Sequence, residues 1–168
     1  MLRKFIMAAA LAACAAPAAA QVVPDRQADA DALILVPLSL VKLDDLDFGT
    51  VITSPLSGTV AINATTGART IAGGITGLAS DTGYRARFAG AGTGNQQVIV
   101  VVTPPAALTN ANGDLLPVLA LTLEGSPIKN VDPVTRAFYF GVGGIILVNG
   151  NQPEGIYSAP FDVTAVYQ

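Results

Sequence analysis

The chain has 168 residues, is 51% hydrophobic and only 12% charged, and carries a formal net charge of −3. It has no His and no Trp, and its one Cys (Cys14) and two Met (Met1, Met7) all fall in the first twenty residues. Ser-His-Asp triads, Cys-His pairs and Cys/His zinc sites are therefore excluded, and the acidic balance argues against nucleic acid or an anionic membrane surface as partner.

Arg3 and Lys4 open the chain, Phe5 to Ala13 form an apolar stretch, and Ala18-Ala19-Ala20 offer small residues for cleavage. This predicts a signal peptide over residues 1–20, cut before Gln21. Leu11-Ala12-Ala13-Cys14 also reads as a lipoprotein box; lipidation of Cys14 is the alternative. Both readings predict export to the periplasm, cell surface or exterior. The leader is too short to span a bilayer, and no other run is long enough, so no transmembrane span is expected. Loss of Arg3 and Lys4 takes the net charge to −5. No cysteine then remains for a disulfide, and the fold must rest on its core. Residues 21–31 are polar, include Pro24 and read as a flexible N-terminal arm. Residues 32–168 suit a single β-sandwich domain with a sizeable core.

The rest reads as strands broken by Gly, Asn, Asp and Pro. Ala32 to Leu43 predicts a first strand interrupted by Pro37. Val60 and Ile62 alternate with Thr59 and Asn63. Tyr84, Ala86 and Phe88 are expected to face inward, and Arg85 and Arg87 outward. Val98 to Val102 is a continuous apolar run, read as a central strand covered on both faces. Leu119, Leu121 and Leu123 alternate with Ala120, Thr122 and Glu124. Arg136 to Val148 is long and is expected to bend at Gly141, Gly143 and Gly144. Tyr157, Ala159, Phe161, Val163, Ala165 and Tyr167 form one face of a terminal strand, with Pro160 pointing to an edge or bulge. Asn112-Gly113 and Asn149-Gly150 mark turns. About eight short strands predict an all-β, two-sheet Greek-key sandwich of about 7–9 strands.

Candidate chemistry is sparse. Asp44, Asp45 and Asp47 cluster before Phe48 and offer oxygens to a hard cation, against a plain reading as a solvated turn. Asn110, Asn112 and Asp114 resemble part of a calcium loop but lack its distal Glu, so a hairpin turn is expected. Gly90 to Gly94 is glycine-rich, yet no helix follows to make a phosphate site. Asn63-Ala64-Thr65 matches a glycosylation triplet. Arg85 and Arg87 read as a solvent-facing stripe with acid partners across the sheet. No catalytic, cofactor or metal residue is assigned, and no enzyme activity is expected; an enzyme using carboxylates alone is the minor alternative.

Two stretches carry a family likeness. Leu46-Asp47-Phe48-Gly49-Thr50-Val51 and the closing Gly155-Ile156-Tyr157 segment through Tyr167 resemble bacterial secreted proteins of domain-of-unknown-function family 4402. They are more distantly similar to spore coat protein U-like and chaperone–usher pilin subunits. The resemblance implies an immunoglobulin-like (pilin-like) sandwich and a structural or adhesion role at the cell surface. It also implies β-strand complementation, by a periplasmic chaperone or by a second copy of the chain. The implied interface is Ile34, Val36, Leu38, Tyr157, Ala159, Phe161, Val163, Ala165 and Tyr167. The chain departs from pilins in lacking their paired Cys. If Ala32 to Leu40 completes its own sheet, the sandwich needs no donor. A soluble periplasmic or lipid-anchored binding module is the alternative function, with loops at one end as its site.

Overall fold

A computed structural model describes residues 28–168. The expected signal peptide, Cys14 and Gln21 to Gln27 of the expected arm lie outside the described residues. Residues 34–168 form one compact unit.

The described residues are all-β, with twelve strands: β1 Ser39–Asp44, β2 Val51–Ile52, β3 Gly58–Ile62, β4 Arg69–Gly73, β5 Thr76–Gly77, β6 Ala86–Ala91, β7 Gln97–Thr103, β8 Ala107–Thr109, β9 Leu115–Leu123, β10 Ile128–Asn130, β11 Ala137–Val148 and β12 Asp162–Tyr167. Eight of them have five residues or more, and periodicity marks seven of these but not β4. The other four have two or three residues, too few for alternation to reveal. All pairings are antiparallel.

The larger sheet is organised by β11, whose twelve residues exceed what one neighbour spans. Its first half pairs with β6 and its second half with β3, while β9 lies along its other edge. β1 borders β6, β4 borders β3, and β8 borders β9. The strand stays paired through its glycines, which instead permit close approach: a methyl on Gly143 would stand 2.6 Å from the Ala64 nitrogen. The expected bend is thus a change of partner.

The second sheet runs β10-β7-β12. Its inward residues meet those of β6 and β11 in a cluster of Ala86, Phe88, Val98, Val100, Val131, Phe138, Phe140 and Val142. Phe88 stacks on Phe140 at 5.3 Å and meets Phe161 edge-on at 6.2 Å, contacts worth about 0.5–1.5 kcal/mol each beyond burial. A second cluster, Val60, Ile75, Leu116, Ile146 and Val148, fills the other end of the larger sheet. Two packed layers around these clusters make a β-sandwich.

Several expectations need correction. Residues 32–38 belong to no strand; β1 begins only after Pro37, because the ring removes a ladder donor. The terminal strand is likewise shortened to Asp162–Tyr167, with Pro160 before it, although residues 157–168 alternate between half-buried and exposed throughout. β7 is central but covered on one face only, since Val101 is 50% exposed. Leu119 sits at a bulge between the Ala120 and Val118 pairings and is turned outward. Tyr84 precedes β6, bridges to Asp47 and is 51% exposed rather than inward.

Candidate interaction site

β1 ends the larger sheet and β12 ends the smaller one, so each keeps one unpaired edge. Leu38 and Leu40 on one side, and Phe161, Val163, Ala165 and Tyr167 on the other, pack half-buried against the first core cluster. Both rows reach the same side of the sandwich. A methyl on Gly92 would lie 2.6 Å from the Tyr167 hydroxyl and 2.7 Å from Leu38 Cδ2, so only glycine fits between them.

Tyr167 fastens this corner. Its hydroxyl accepts the Thr93 backbone N–H at 2.7 Å and donates to the Val36 carbonyl at 2.7 Å. The Val36 N–H donates in turn to Thr93 Oγ1 at 2.8 Å. The chain leading into β1 is thereby tied to the last strand residue by its backbone, which leaves the Val36 side chain 48% exposed.

Of the nine residues implied as an interface, five come together, Val36 is held beside them by its backbone, and three lie apart. Leu38, Phe161, Val163, Ala165 and Tyr167 come together along the two edges. Tyr157 packs instead on the second cluster; its hydroxyl accepts from Gln152 and donates to the Pro153 carbonyl. Ala159 follows the Ser158–Thr109 bridge and lies before the strand. Ile34 is 88% exposed and in no strand. Thr93 escaped sequence reasoning, because nothing in Gly92-Thr93-Gly94 signals that its hydroxyl meets a residue 57 positions earlier.

The two edges differ in how they are guarded. β1 carries Lys42 and a register break between Lys42 and Asp44, both features that discourage a further strand. β12 pairs with β7 without interruption from Asp162 to Tyr167, and its one charge is at its first residue.

The polar candidates are held locally. Asp44 pairs with Arg87, Asp45 with Lys42 at 2.5 Å, and Asp47 accepts the Gly49 N–H at 2.7 Å. The three carboxylates turn to separate partners and do not converge. Asn110 Oδ1 accepts the N–H groups of Asn112 and Asp114, closing the β8–β9 hairpin. Asn63 Oδ1 accepts those of Thr65 and Thr66 in a similar turn. Gly90 is a β6 residue covered by the Phe138 ring, not part of an anion cradle. Arg85 pairs with Glu124 at 3.2 Å and Arg87 with Asp44, the cross-sheet partners their pattern led us to expect.

The Asp47-Phe48-Gly49-Thr50 stretch forms a built node. Gly49 has φ +69° and faces Gly83, also at φ +69°, conformations that a Cβ disfavours. The Arg69 guanidinium donates to the carbonyls of Thr50 (3.1 Å), Asp81 (2.9 Å) and Leu78 (2.6 Å). The Thr50 hydroxyl donates to Asp81 at 2.6 Å and, with backbone N–H donors from Gly83 and Thr50, holds that carboxyl below the ordinary range.

A family model, domain of unknown function (DUF4402), matches residues 38–167. The chain belongs to the DUF4402 family. The matched region begins at Leu38 and ends at Tyr167, the two residues that meet over Gly92, so the DUF4402 domain starts and finishes at one corner of its sandwich. No curated protein and no solved structure matches the chain.

Proposed function

We propose that the protein is an exported, non-enzymatic structural or adhesion subunit of the cell surface that assembles by strand addition at the free edge of β12. The observation carrying this reading is that edge itself: six residues in unbroken register with β7, with an apolar row on the core. Such an edge offers unpaired backbone groups to an extended segment, with alternate side chains setting register. A candidate donor segment exists in the same chain: Ile34 and Val36, two residues apart, are 88% and 48% exposed, lie in no strand and would share one face of an added strand. Because the strand beside β6 is this chain's own β1, the subunit folds alone and adds its neighbour at the β12 edge.

The test is a denaturing gel of material sheared from the native host's surface, run with and without boiling. A heat-sensitive ladder of multiples supports strand exchange. A single monomer band under both conditions overturns it. Thr164→Lys, which places a charge on the β12 edge, should abolish the ladder and leave the monomer folded.

A further inference from the structure

The outward face of the larger sheet carries two hollows on either side of an arginine pair. One, about 510 Å³, is lined by Asp44, Tyr84, Arg85 and Arg87. The other, about 340 Å³, is lined by Glu124, Tyr139 and the same two arginines. Each hollow therefore combines a carboxylate, a guanidinium and an exposed tyrosine.

The sheet imposes this arrangement. Arg85 and Arg87 alternate with buried Ala86 and Phe88, and Tyr139 lies between buried Phe138 and Phe140. Arg87 stands opposite Asp44 on one side and Gly141 on the other, so the β11 residue directly across from it has no side chain, and Tyr139 shares its hollow from two residues away. The Gly141 N–H donates to Glu124 Oε2 at 2.8 Å, and Arg85 Nη1 donates to the Ala64 carbonyl at 2.7 Å. Glu124 and Arg85 are thus fixed in advance, which lowers the ordering cost of binding.

The charges pair off, Arg87 with Asp44 and Arg85 with Glu124. The face offers donors and acceptors side by side without net charge. A polyanion gains little where each guanidinium already has its carboxylate. A metal ion lacks converging oxygens, because the two acids lie in different hollows on different arginines. Tyr139, 68% exposed, and Tyr84, 51% exposed, add apolar ring surface with a polar tip.

We propose that this face binds a neutral oligosaccharide, lying across the Arg85–Arg87 ridge with a tyrosine beneath a sugar at each side. Vicinal hydroxyls match the neighbouring donors and acceptors of an arginine–carboxylate pair, and the C–H face of a pyranose matches a tyrosine ring. The site lies on the larger sheet, whereas β12 belongs to the smaller one, and it does not depend on the subunit reading.

The test uses the full domain, isotopically labelled, titrated with a panel of neutral hexasaccharides of glucose (α- and β-linked), mannose, galactose and N-acetylglucosamine, each to about 5 mM. At least one should shift the amides of Arg87, Ala89 and Tyr139 saturably. Tyr139→Ala and Tyr84→Ala, both at exposed positions, should each weaken that binding about tenfold. The affinity should persist from about 0.05 to 0.5 M salt. Absence of saturable shifts at these amides across the panel overturns the proposal. So does binding that survives both tyrosine variants. Tighter binding of a sulfated analogue, lost in high salt, would identify an anion site instead and equally overturn it.

Discussion

Tyr167→Phe removes one oxygen from the corner where the domain begins and ends. That hydroxyl makes two hydrogen bonds of 2.7 Å, one from the Thr93 N–H and one to the Val36 carbonyl. Each is worth about 0.5–1.5 kcal/mol net. Both lie in partly exposed surroundings where water replaces a lost partner, so the loss sums to about 1–2 kcal/mol, toward the lower end of that range. For a chain of this length the melting temperature should fall by roughly 3–8 °C. The ring stays, so the packing of Tyr167 against the first cluster is retained. The local signature is sharper than the global one. The Val36 N–H, held on Thr93 Oγ1, should exchange with solvent about five- to thirty-fold faster, read by native-state hydrogen exchange. A melting temperature within about 1 °C of the parent, together with unchanged Val36 exchange, would refute the tether and the positioning of the N-terminal segment that rests on it.

Arg69→Ala should cost about 2–4 kcal/mol, because several carbonyls lose a charged donor; denaturant unfolding measures it, and Arg69→Lys should recover less than half, since an ammonium lacks the planar fork. Gly90→Ala places a methyl into the Phe138 ring and should destabilise by about 1–3 kcal/mol; an unchanged unfolding midpoint would count against that packing. Asp81, with the Thr50 hydroxyl as its main donor, and Asp132, with the N–H groups of Thr135 and Val134, are both held below the ordinary carboxylate value of 3.8. The unfolded chain therefore takes up these protons first, so stability is full above about pH 4 and falls as acid carries pH down through the depressed values; Asp132→Asn should shrink that acid loss in melts taken across the window.

Alternation along the chain carried the strands that face a core. Ala86 and Phe88, Val60 and Ile62, and the row Phe161, Val163, Ala165 follow a period of two because one face of each strand is buried and the other wet. The lack of imidazole was legible from composition, and the outward face of Arg85 and Arg87 from alternation, but not which acids meet them. What needed the tertiary structure was any fact joining distant residues. Periodicity does not say that β11 leaves β6 for β3 half-way along, that Leu119 is spent on a bulge, or that Val101 lacks a cover. Nor does it separate Tyr157 from Tyr167, which share one apolar row yet enter different clusters because Pro160 breaks the ladder between them. The Val36–Thr93–Tyr167 corner joins residues up to 131 positions apart, and the two tyrosine-bearing hollows draw on five separate stretches of chain. Local pattern decides which face of a strand is apolar; which strand lies beside it is set by the packing of the whole sandwich, where each pairing is weak until the others are in place.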